Sequence, residues 1–416
     1  MSLRPQSRQR SQRGWGTLAL SGHYDLRVFL CVLCSLCVVC ASAAAQEPAG
    51  PQVVTPAQLT AAIAKLGDLD YTIRSTAART VRRTAASQAV PALVQAVAEQ
   101  ADGYVRYRAL VLLTGFNDPR TKDAMRESLS SPNDRLRAVA YSFFEHNPDP
   151  SMIPAFLTAL DKEQGEFVRP ELVRALAAQG TDPRVRQALL REVVRGEDFF
   201  RSAVIEAFGD HKAAYAYDQL ASIARLDGPL QDDAAIALGK IGDKRALEPL
   251  AAIQRTAPKP MQPSIATAVC LLGTNCQSHE GYLADVLKFA NENAGFQEIL
   301  RGAAAGLGIL AVAGHAEAAA ALATAGTGSA NDATRAPVAL AFATVALRNT
   351  PLTLTLLEKH EDQASAIALL AEGFDMLEED LEKERFFAFV RRTFWGSPES
   401  SPRRALMQNL IGKLDF

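Results

Sequence analysis

One arginine recurs along this 416-residue chain at almost constant spacing. Arg74, Arg106, Arg137, Arg169 and Arg201 follow one another at intervals of 32, 31, 32 and 32 residues. After each of them, apolar residues stand three and seven positions later, which is the spacing of one face of an α-helix. A fixed period of this length is typical of repeat proteins, in which each unit packs on its neighbours. The arginine series therefore predicts a stack of helical repeats.

Aspartates form a second series, placed about halfway along each repeat. They are Asp118, Asp149, Asp182, Asp210 and Asp243. The first three precede a proline, and the last two follow a glycine. Aspartate is a preferred N-cap, and proline is tolerated at the first position of a helix. We therefore expect each aspartate to begin the second helix of a two-helix unit.

The stretch over residues 230–253 reads LQDDAAIALGKIGDKRALEPLAAI. Here the chain resembles the HEAT-repeat superfamily, specifically the short HEAT-like repeats of the phycobilin-lyase type. The resemblance implies an all-α fold, an α-solenoid of stacked two-helix repeats, and says little about activity. In that family the turn aspartate and the early-helix arginine form a ladder of hydrogen bonds between repeats. By position, the five arginines and five aspartates above match this ladder, while Gln231 stands where the next arginine is expected.

The repeat pattern is clearest over residues 71–259 and looser over 260–416, where helical spacing still continues. We expect residues 46–416 to form one solenoid of roughly eleven units. Upstream, Thr55-Pro56-Ala57-Gln58 has the pattern of a capping box at the start of a helix. Near the C-terminus, the acidic run over residues 378–384 is expected to be the solvated polar face of a terminal repeat.

Residues 1–45 have the pattern of a signal peptide. No charged residue occurs from Val28 to Ala45, and three alanines precede Gln46. The alternative is an uncleaved signal anchor, because about 18 apolar residues just span a bilayer. Either reading predicts export to the periplasm, the cell envelope or the medium. Membrane contact is expected only through this segment, and only if it is retained.

The charge balance disfavours nucleic acid as a partner. The full chain has a formal charge of −2, and residues 1–45 contain five arginines and one aspartate. Their removal leaves a mildly acidic chain, whereas nucleic-acid binding rests largely on neutralising phosphates.

Cysteines offer one candidate cross-link in the mature chain. Four of the six lie in the apolar N-terminal segment, where purely apolar flanks argue against an iron–sulfur cluster. The other two are Cys270 and Cys276, and an even count in an exported protein indicates a disulfide. A redox or metal role with His279 nearby is the less favoured alternative, because the spacing matches no metal-binding or thiol-exchange motif.

Motifs for catalysis are missing from the sequence. The six histidines are scattered, and the chain has no H-E-x-x-H pair, no phosphate-binding loop and no G-x-S-x-G elbow. We therefore predict a protein that is not an enzyme, with no catalytic residues, no bound cofactor and no metal site. Aromatic residues crowd into ERFFAFVRRTFWGSP, either to pack the last repeats or to form an exposed patch for a partner. These residues are Phe386, Phe387, Phe389, Phe394 and Trp395.

The fold class suggests a scaffold or adaptor that binds a protein or peptide on the concave face, expected to be lined by the second helices. Two alternatives remain open. One is an accessory or chaperone-like module of an envelope enzyme complex. The other is a module for a prosthetic group, as the resemblance to bilin lyases implies.

Overall fold

The computed structural model describes residues 47–293, 295–328 and 332–416, so the predicted signal peptide lies outside the described residues. The described residues form 22 α-helices. In chain order these are α1 Pro56–Ala64, α2 Tyr71–Arg83, α3 Ala86–Glu99, α4 Gly103–Thr114, α5 Arg120–Ser128, α6 Asp134–His146, α7 Ile153–Leu160, α8 Val168–Ala177, α9 Pro183–Glu192, α10 Asp198–Asp210, α11 Tyr217–Ala224, α12 Gln231–Ile241, α13 Leu247–Gln254, α14 Gln262–Leu271, α15 Cys276–Glu292, α16 Gln297–Val312, α17 Ala316–Gly328, α18 Asp332–Arg348, α19 Thr350–Lys359, α20 Gln363–Met376, α21 Asp380–Gly396 and α22 Pro402–Leu414.

Helices α2 to α19 form successive two-helix repeats, which confirms the predicted all-α solenoid. The first helix of each repeat packs directly on the first helix of the next, as α10 does on α12 and α12 on α14. The predicted capping box is present at Thr55, whose side chain accepts from the Gln58 N–H. Small residues permit the close packing, because a Cβ added to Gly239 would lie 2.6 Å from the Cα of Ala268.

The first helices, and not the second, line the concave face. In a curved stack the helices on the inner side approach one another more closely, and here those are the first helices. Side chains two repeats apart also meet on this side, where His211 Nε2 lies 3.3 Å from Glu145 Oε1. This corrects the expectation that second helices line the concave face.

Apolar side chains form two core clusters that meet at α14. One cluster runs from Leu59 to Leu272 and also includes Leu381 of α21, and the other runs from Ala266 to Phe416. Among the described residues, no single helix has the length and hydropathy of a membrane span. One bent pair, Ala333–Arg348 with Thr350–Lys359, passes such a test together, with 118° between its halves.

Two of the repeat arginines bind the end of the preceding second helix. Arg106 Nε donates to the Val97 carbonyl at 2.7 Å, and Arg201 Nε donates to the Val193 carbonyl at 3.0 Å. Gln231 replaces the missing arginine, because its Nε2 donates to the Ala224 carbonyl at 2.9 Å. The last carbonyls of a helix lack partners within the helix and attract positive charge. These three side chains therefore cap helices from the next repeat.

The other arginines of the series vary this arrangement. Arg74 Nη1 donates to the Asp68 carbonyl at 2.7 Å. Arg137 donates to the Ser131 carbonyl at 2.8 Å and also pairs with Glu163. Arg169 differs from both, because its guanidinium stacks 3.7 Å from the ring centroid of Phe200.

The aspartate half of the expected ladder is wrong. Asp118, Asp182 and Asp243 accept backbone N–H groups of the following turn and pair with the arginine two residues later. Asp149 pairs with Lys122 and Arg126 of the preceding repeat. The aspartates cannot reach the repeat arginines because the two series lie at opposite ends of the first helices, about 20 Å apart for 13 residues.

The expectation that Asp210 begins the second helix of its repeat is also wrong. Asp210 is the last residue of α10, and its carboxylate pairs with Lys240 at 2.6 Å. The turn that follows contains Lys212 at φ +50°, so the helix continues past the predicted start of the turn.

The C-terminal helices close the described part of the chain on itself. Helix α22 packs on α19 and α20, in the place of a second helix. Helix α21 instead packs on α4, α6 and α18. At the end of the chain, Asp415 pairs with Arg79 and accepts a hydrogen bond from Ser75. A segment of the C-terminus therefore lies across the concave face of the first repeats.

Candidate binding cleft

Buried ion pairs hold α21 against the first repeats. Arg82 Nη2 and Nε donate to Glu384 at 2.7 and 2.8 Å, and their side chains are 6% and 2% exposed. Arg391 Nε lies 3.1 Å from Glu47 Oε1, and burial lowers the pKa of Arg391 to about 10. Isolated buried charges are costly, so each of these charges needs its partner.

The beginning of α21 is held by polar contacts to α4 and α6. Asp380 accepts from Tyr107 and from Arg108 Nη1, the latter at 2.7 Å. Glu382 lies 2.9 Å from His146 Nε2. Burial favours protonation of Glu382, but the hydrogen bond with His146 and the charge of Arg348 hold its pKa below the ordinary value.

These contacts correct the expectation that the acidic run over residues 378–384 is solvated. Glu382 and Glu384 are buried. The acids leave solvent because basic side chains of the first repeats face them across the closure of the stack.

The exposed face of α21 borders a cleft of about 870 Å³. Arg385, Phe389 and Arg392 stand on this face at the four- and three-residue spacing of an α-helix. The opposite wall comes from the ends of α4, α6 and α18 and from the turns that follow them. The cleft is lined by Thr114, Asn117, Asp118, Pro119, Thr121, Lys122, Phe143, His146, Asn147, Pro148, Leu347, Arg348, Thr350, Pro351, Leu381, Arg385, Phe386, Ala388, Phe389 and Arg392.

The lining carries an excess of positive charge. Lys122, Arg348, Arg385 and Arg392 line the cleft together with a single carboxylate, Asp118. Lys122 is paired with Asp149 and Arg348 with Glu379, at 2.9 and 3.0 Å.

Arg385 is the one guanidinium of the lining that has no hydrogen bond or ion pair with the described part of the chain. Arg392, by comparison, donates to the Gly115 carbonyl at 3.2 Å. Arg385 is exposed to solvent in the open cleft, although the protein around it partly desolvates the guanidinium and lowers its pKa in spite of the opposing charge of Glu382. An anion bound in the cleft would supply the missing partner.

Of the two roles left open for the five C-terminal aromatic residues, the structure shows packing for four of them. Phe386 and Phe394 are buried, and Phe387 stacks on Phe416 with 4.1 Å between ring centroids. Trp395 Nε1 donates to the Pro48 carbonyl at 2.9 Å. Only Phe389 is among the exposed large side chains, at 37% exposure. An exposed aromatic patch is therefore not formed, because the other four pack within the described part of the chain.

Sequence reasoning missed Arg385 and Arg392. Their signal was present, because helical spacing places both on one face with Phe389. The sequence did not show that this face borders a cleft, because α4 and α6, which form part of the other wall, lie more than 200 residues before Arg385 in the sequence.

A second polar group lies on the concave face beyond the cleft. Glu171 Oε1 accepts from Arg174 Nη1 at 2.8 Å. Burial raises the pKa of Glu171 to about 7 even so, and the nearby charges of Glu382 and Glu145 act in the same direction. This carboxyl therefore titrates close to neutral pH in the folded chain.

Potential metal ligands gather at the α14–α15 turn. Cys270 and Cys276 are joined by a disulfide bond, with Cα atoms 4.1 Å apart. Glu280 and His315 stand beside them, and the ligand atoms of all four residues lie within 4.8 Å of one another. The sequence predicts no metal site here, and it names His279 in place of His315 as the neighbour of the cysteines.

Stacked two-helix repeats with a cleft on their concave face define a class of protein, the α-solenoids. Residues 58–145 match the family of HEAT repeats. Over this part of the chain the match identifies HEAT repeats, in agreement with the resemblance found in the sequence.

Several solved structures are similar in fold. The CpcE–CpcF complex of phycocyanin lyase from Nostoc sp. PCC7120 is 20% identical, with 63% of this chain and 97% of that chain covered and a TM-score of 0.40. Yeast importin-beta (Kap95p) is 13% identical, with 86% and 62% covered and a TM-score of 0.38. Human deoxyhypusine hydroxylase is 19% identical, with 62% and 96% covered and a TM-score of 0.28. No curated protein matches the sequence.

Proposed function

We propose that the protein is an exported, non-catalytic scaffold that binds an acidic segment of a protein partner in the cleft beside α21. Export is supported by the charge-free run from Val28 to Ala45 and the alanines before Gln46. A scaffold is supported by the solenoid, because such folds expose long concave surfaces that bind partners.

The choice of an acidic ligand rests on one observation: the guanidinium of Arg385 has no hydrogen bond or ion pair within the described part of the chain. A guanidinium is a planar donor that matches a carboxylate in two parallel hydrogen bonds. Arg385 has no such partner within the described chain, and it is flanked by Arg348 and Arg392. Clusters of arginine are a common means of recognising acidic motifs.

Apolar side chains in the same cleft make a peptide a better fit than a small inorganic anion. Phe143, Pro351 and Phe389 line the cleft together with the arginines. Acidic side chains of a bound segment would pair with the arginines, while apolar side chains next to them would contact the aromatic rings.

Fluorescence anisotropy tests the proposal with a labelled peptide that alternates glutamate and leucine. We expect this peptide to bind the mature protein, and a peptide with lysine in place of glutamate to bind at least about tenfold more weakly. Raising the salt concentration should weaken the binding, because the cleft is open to solvent.

The matched variants are Arg385→Glu and Arg255→Glu. Arg255 is an exposed arginine after α13, outside the cleft. Arg385→Glu should weaken binding at least about tenfold, since it replaces an attractive charge by a repulsive one, and Arg255→Glu should leave it unchanged. Equal effects of the two variants, or equal binding of the lysine peptide, would refute the cleft as the binding site.

A separate measurement tests export. Mass spectrometry of the protein recovered from the cell envelope or the medium should give a chain that begins at Gln46. A chain that retains residues 1–45 would support the signal anchor instead.

A further inference from the structure

We propose that the chain, once its disulfide is reduced, binds one Zn²⁺ ion through Cys270, Cys276, Glu280 and His315. Four side chains with zinc-binding chemistry meet at this point, and their ligand atoms all lie within 4.8 Å of one another. A tetrahedral zinc ion with sulfur at about 2.3 Å and nitrogen or oxygen at about 2.0 Å separates its ligand atoms by roughly 3.3–3.8 Å. The group therefore needs only small side-chain movements to surround the ion.

The local backbone brings the four ligands together from two repeats. Cys270 lies near the end of α14, Cys276 begins α15, and Glu280 follows one helical turn later on the same face. His315 comes from the next repeat, directly after Gly314, whose φ of +106° turns the chain between α16 and α17.

His315 faces both a carboxylate and a sulfur through one ring nitrogen. Its Nδ1 lies 2.8 Å from Glu280 Oε1 and 3.7 Å from Cys276 Sγ. A disulfide between the cysteines needs neither of these side chains. Their convergence on the sulfur atoms is what a metal site requires and a disulfide does not.

Burial suits such a site. Cys270 is only 2% exposed, while the other three residues are partly buried. The ion would thus be shielded on one side and reachable from solvent on the other. Two thiolates, an imidazole and a carboxylate favour Zn²⁺ over hard cations such as Mg²⁺, which prefer oxygen ligands.

The two oxidation states would connect different parts of the chain. The disulfide joins α14 to α15 within one repeat. A zinc ion would add His315, and would therefore tie that repeat to the turn before α17. This zinc-mediated link would lie near α14, where the two core clusters meet.

The exchange between the states has a definite stoichiometry. A dithiol reductant transfers two electrons and two protons to the Sγ–Sγ bond, which breaks to give two thiols, and the dithiol is oxidised to its own disulfide. Zinc binding then releases the two thiol protons, as thiolate ligation requires.

The test uses the mature protein with the disulfide reduced and the reductant removed without air. Co²⁺ should give the visible bands of a tetrahedral site and a thiolate charge-transfer band. Zn²⁺ should abolish both bands at one equivalent. The oxidised protein should show neither band, because its sulfur atoms are not thiolates.

Two histidine variants provide the control. Loss of His315 removes a direct ligand, so His315→Ala should weaken Zn²⁺ binding by more than the 10- to 100-fold typical of outer-shell changes. His279→Ala removes the adjacent histidine, which is outside the group, and should change the affinity less than about threefold. Glu280→Gln should also weaken binding if it keeps the helical content of the parent.

Three results would overturn the proposal. They are cobalt spectra without thiolate charge transfer, equal affinities of the two histidine variants, and equal binding by the oxidised and reduced proteins. A reduced chain that loses its helical signal and does not recover it with Zn²⁺ would overturn it as well.

Discussion

The ion pair between Arg82 and Glu384 offers the sharpest test of how α21 is held. Glu384→Gln keeps the size of the side chain but removes its charge, and it leaves the guanidinium of Arg82 only 6% exposed and without its carboxylate. Removing one partner of a buried pair costs about 3–5 kcal/mol. The ring of Phe387 lies 5.1 Å from this guanidinium and cannot replace a full negative charge.

Urea unfolding followed by circular dichroism would measure this cost. Glu378→Gln is the matched control, because Glu378 belongs to the same acidic run but is exposed. It should change the free energy of unfolding by less than about 0.5 kcal/mol. Hydrogen exchange should show that Glu384→Gln exposes the amides of α21 and α2 before those of distant repeats, since contacts in a solenoid are mainly local.

A double replacement separates the unpaired charge from lost packing. Arg82→Met combined with Glu384→Leu removes both charges and keeps most of the volume, so it should recover most of the lost stability. A loss below about 1 kcal/mol for Glu384→Gln, or equal losses for the two glutamine variants, would refute the claim that buried charge pairing seats α21.

Three further predictions concern the stack and its titration. Arg137→Ala should lower the free energy of unfolding by about 1.5–3 kcal/mol in urea titrations, because its bonds to Ser131 and Glu163 are partly buried, whereas Arg184→Ala, at an exposed side chain, should leave the unfolding midpoint almost unchanged. Gly239→Ala should lower the melting temperature and cost about 1–3 kcal/mol, because the new Cβ would meet α14 at 2.6 Å. Burial raises the pKa of Glu171 to about 7, above its unfolded value of about 4.3. The contribution of Glu171 to stability is therefore present below about pH 4 and is lost as the pH rises to 7. The unfolding midpoint should fall less steeply over that pH range for Glu171→Gln than for the parent protein.

The repeats were predictable because their signals are local. Helix spacing, the arginine period and the capping box at Thr55 involve residues that lie close together in the sequence, and the structure confirms the helices. Pro351 shows the same point, since a strand-like alternation follows it and the segment is nevertheless helix α19, begun by the Asn349 side chain. Local capping outweighs the alternation.

The closure of the chain was not predictable from these signals. Glu384 and Arg82 are 302 residues apart, and nothing near either residue in the sequence indicates the other. An acidic run on a helix is usually solvated, and only the folded chain brings residues 378–384 against their basic partners. The same reason explains why His315, from the next repeat, was missed beside the cysteines.

The arginines and the turn aspartates cannot pair with each other, for a geometric reason that is visible in the sequence. Arg106 lies in the first turn of α4, and Asp118 follows the end of that helix. A helix of 12 residues separates its ends by about 18 Å, which no arginine side chain spans. The arginines do recur at equivalent places in the repeats, but Arg106 and Arg201 bind carbonyls of the preceding helix and not the turn aspartates.

Protection of Arg385 from phenylglyoxal tests the central claim most directly. This reagent modifies accessible guanidiniums, and mass spectrometry locates the modified residue. Arg385 should react faster than the buried, paired Arg82, and the glutamate–leucine peptide should slow its modification at least about fivefold without changing that of Arg255. Slow modification of Arg385 in the free protein, or the same rate with and without the peptide, would contradict the proposal that this cleft binds an acidic partner.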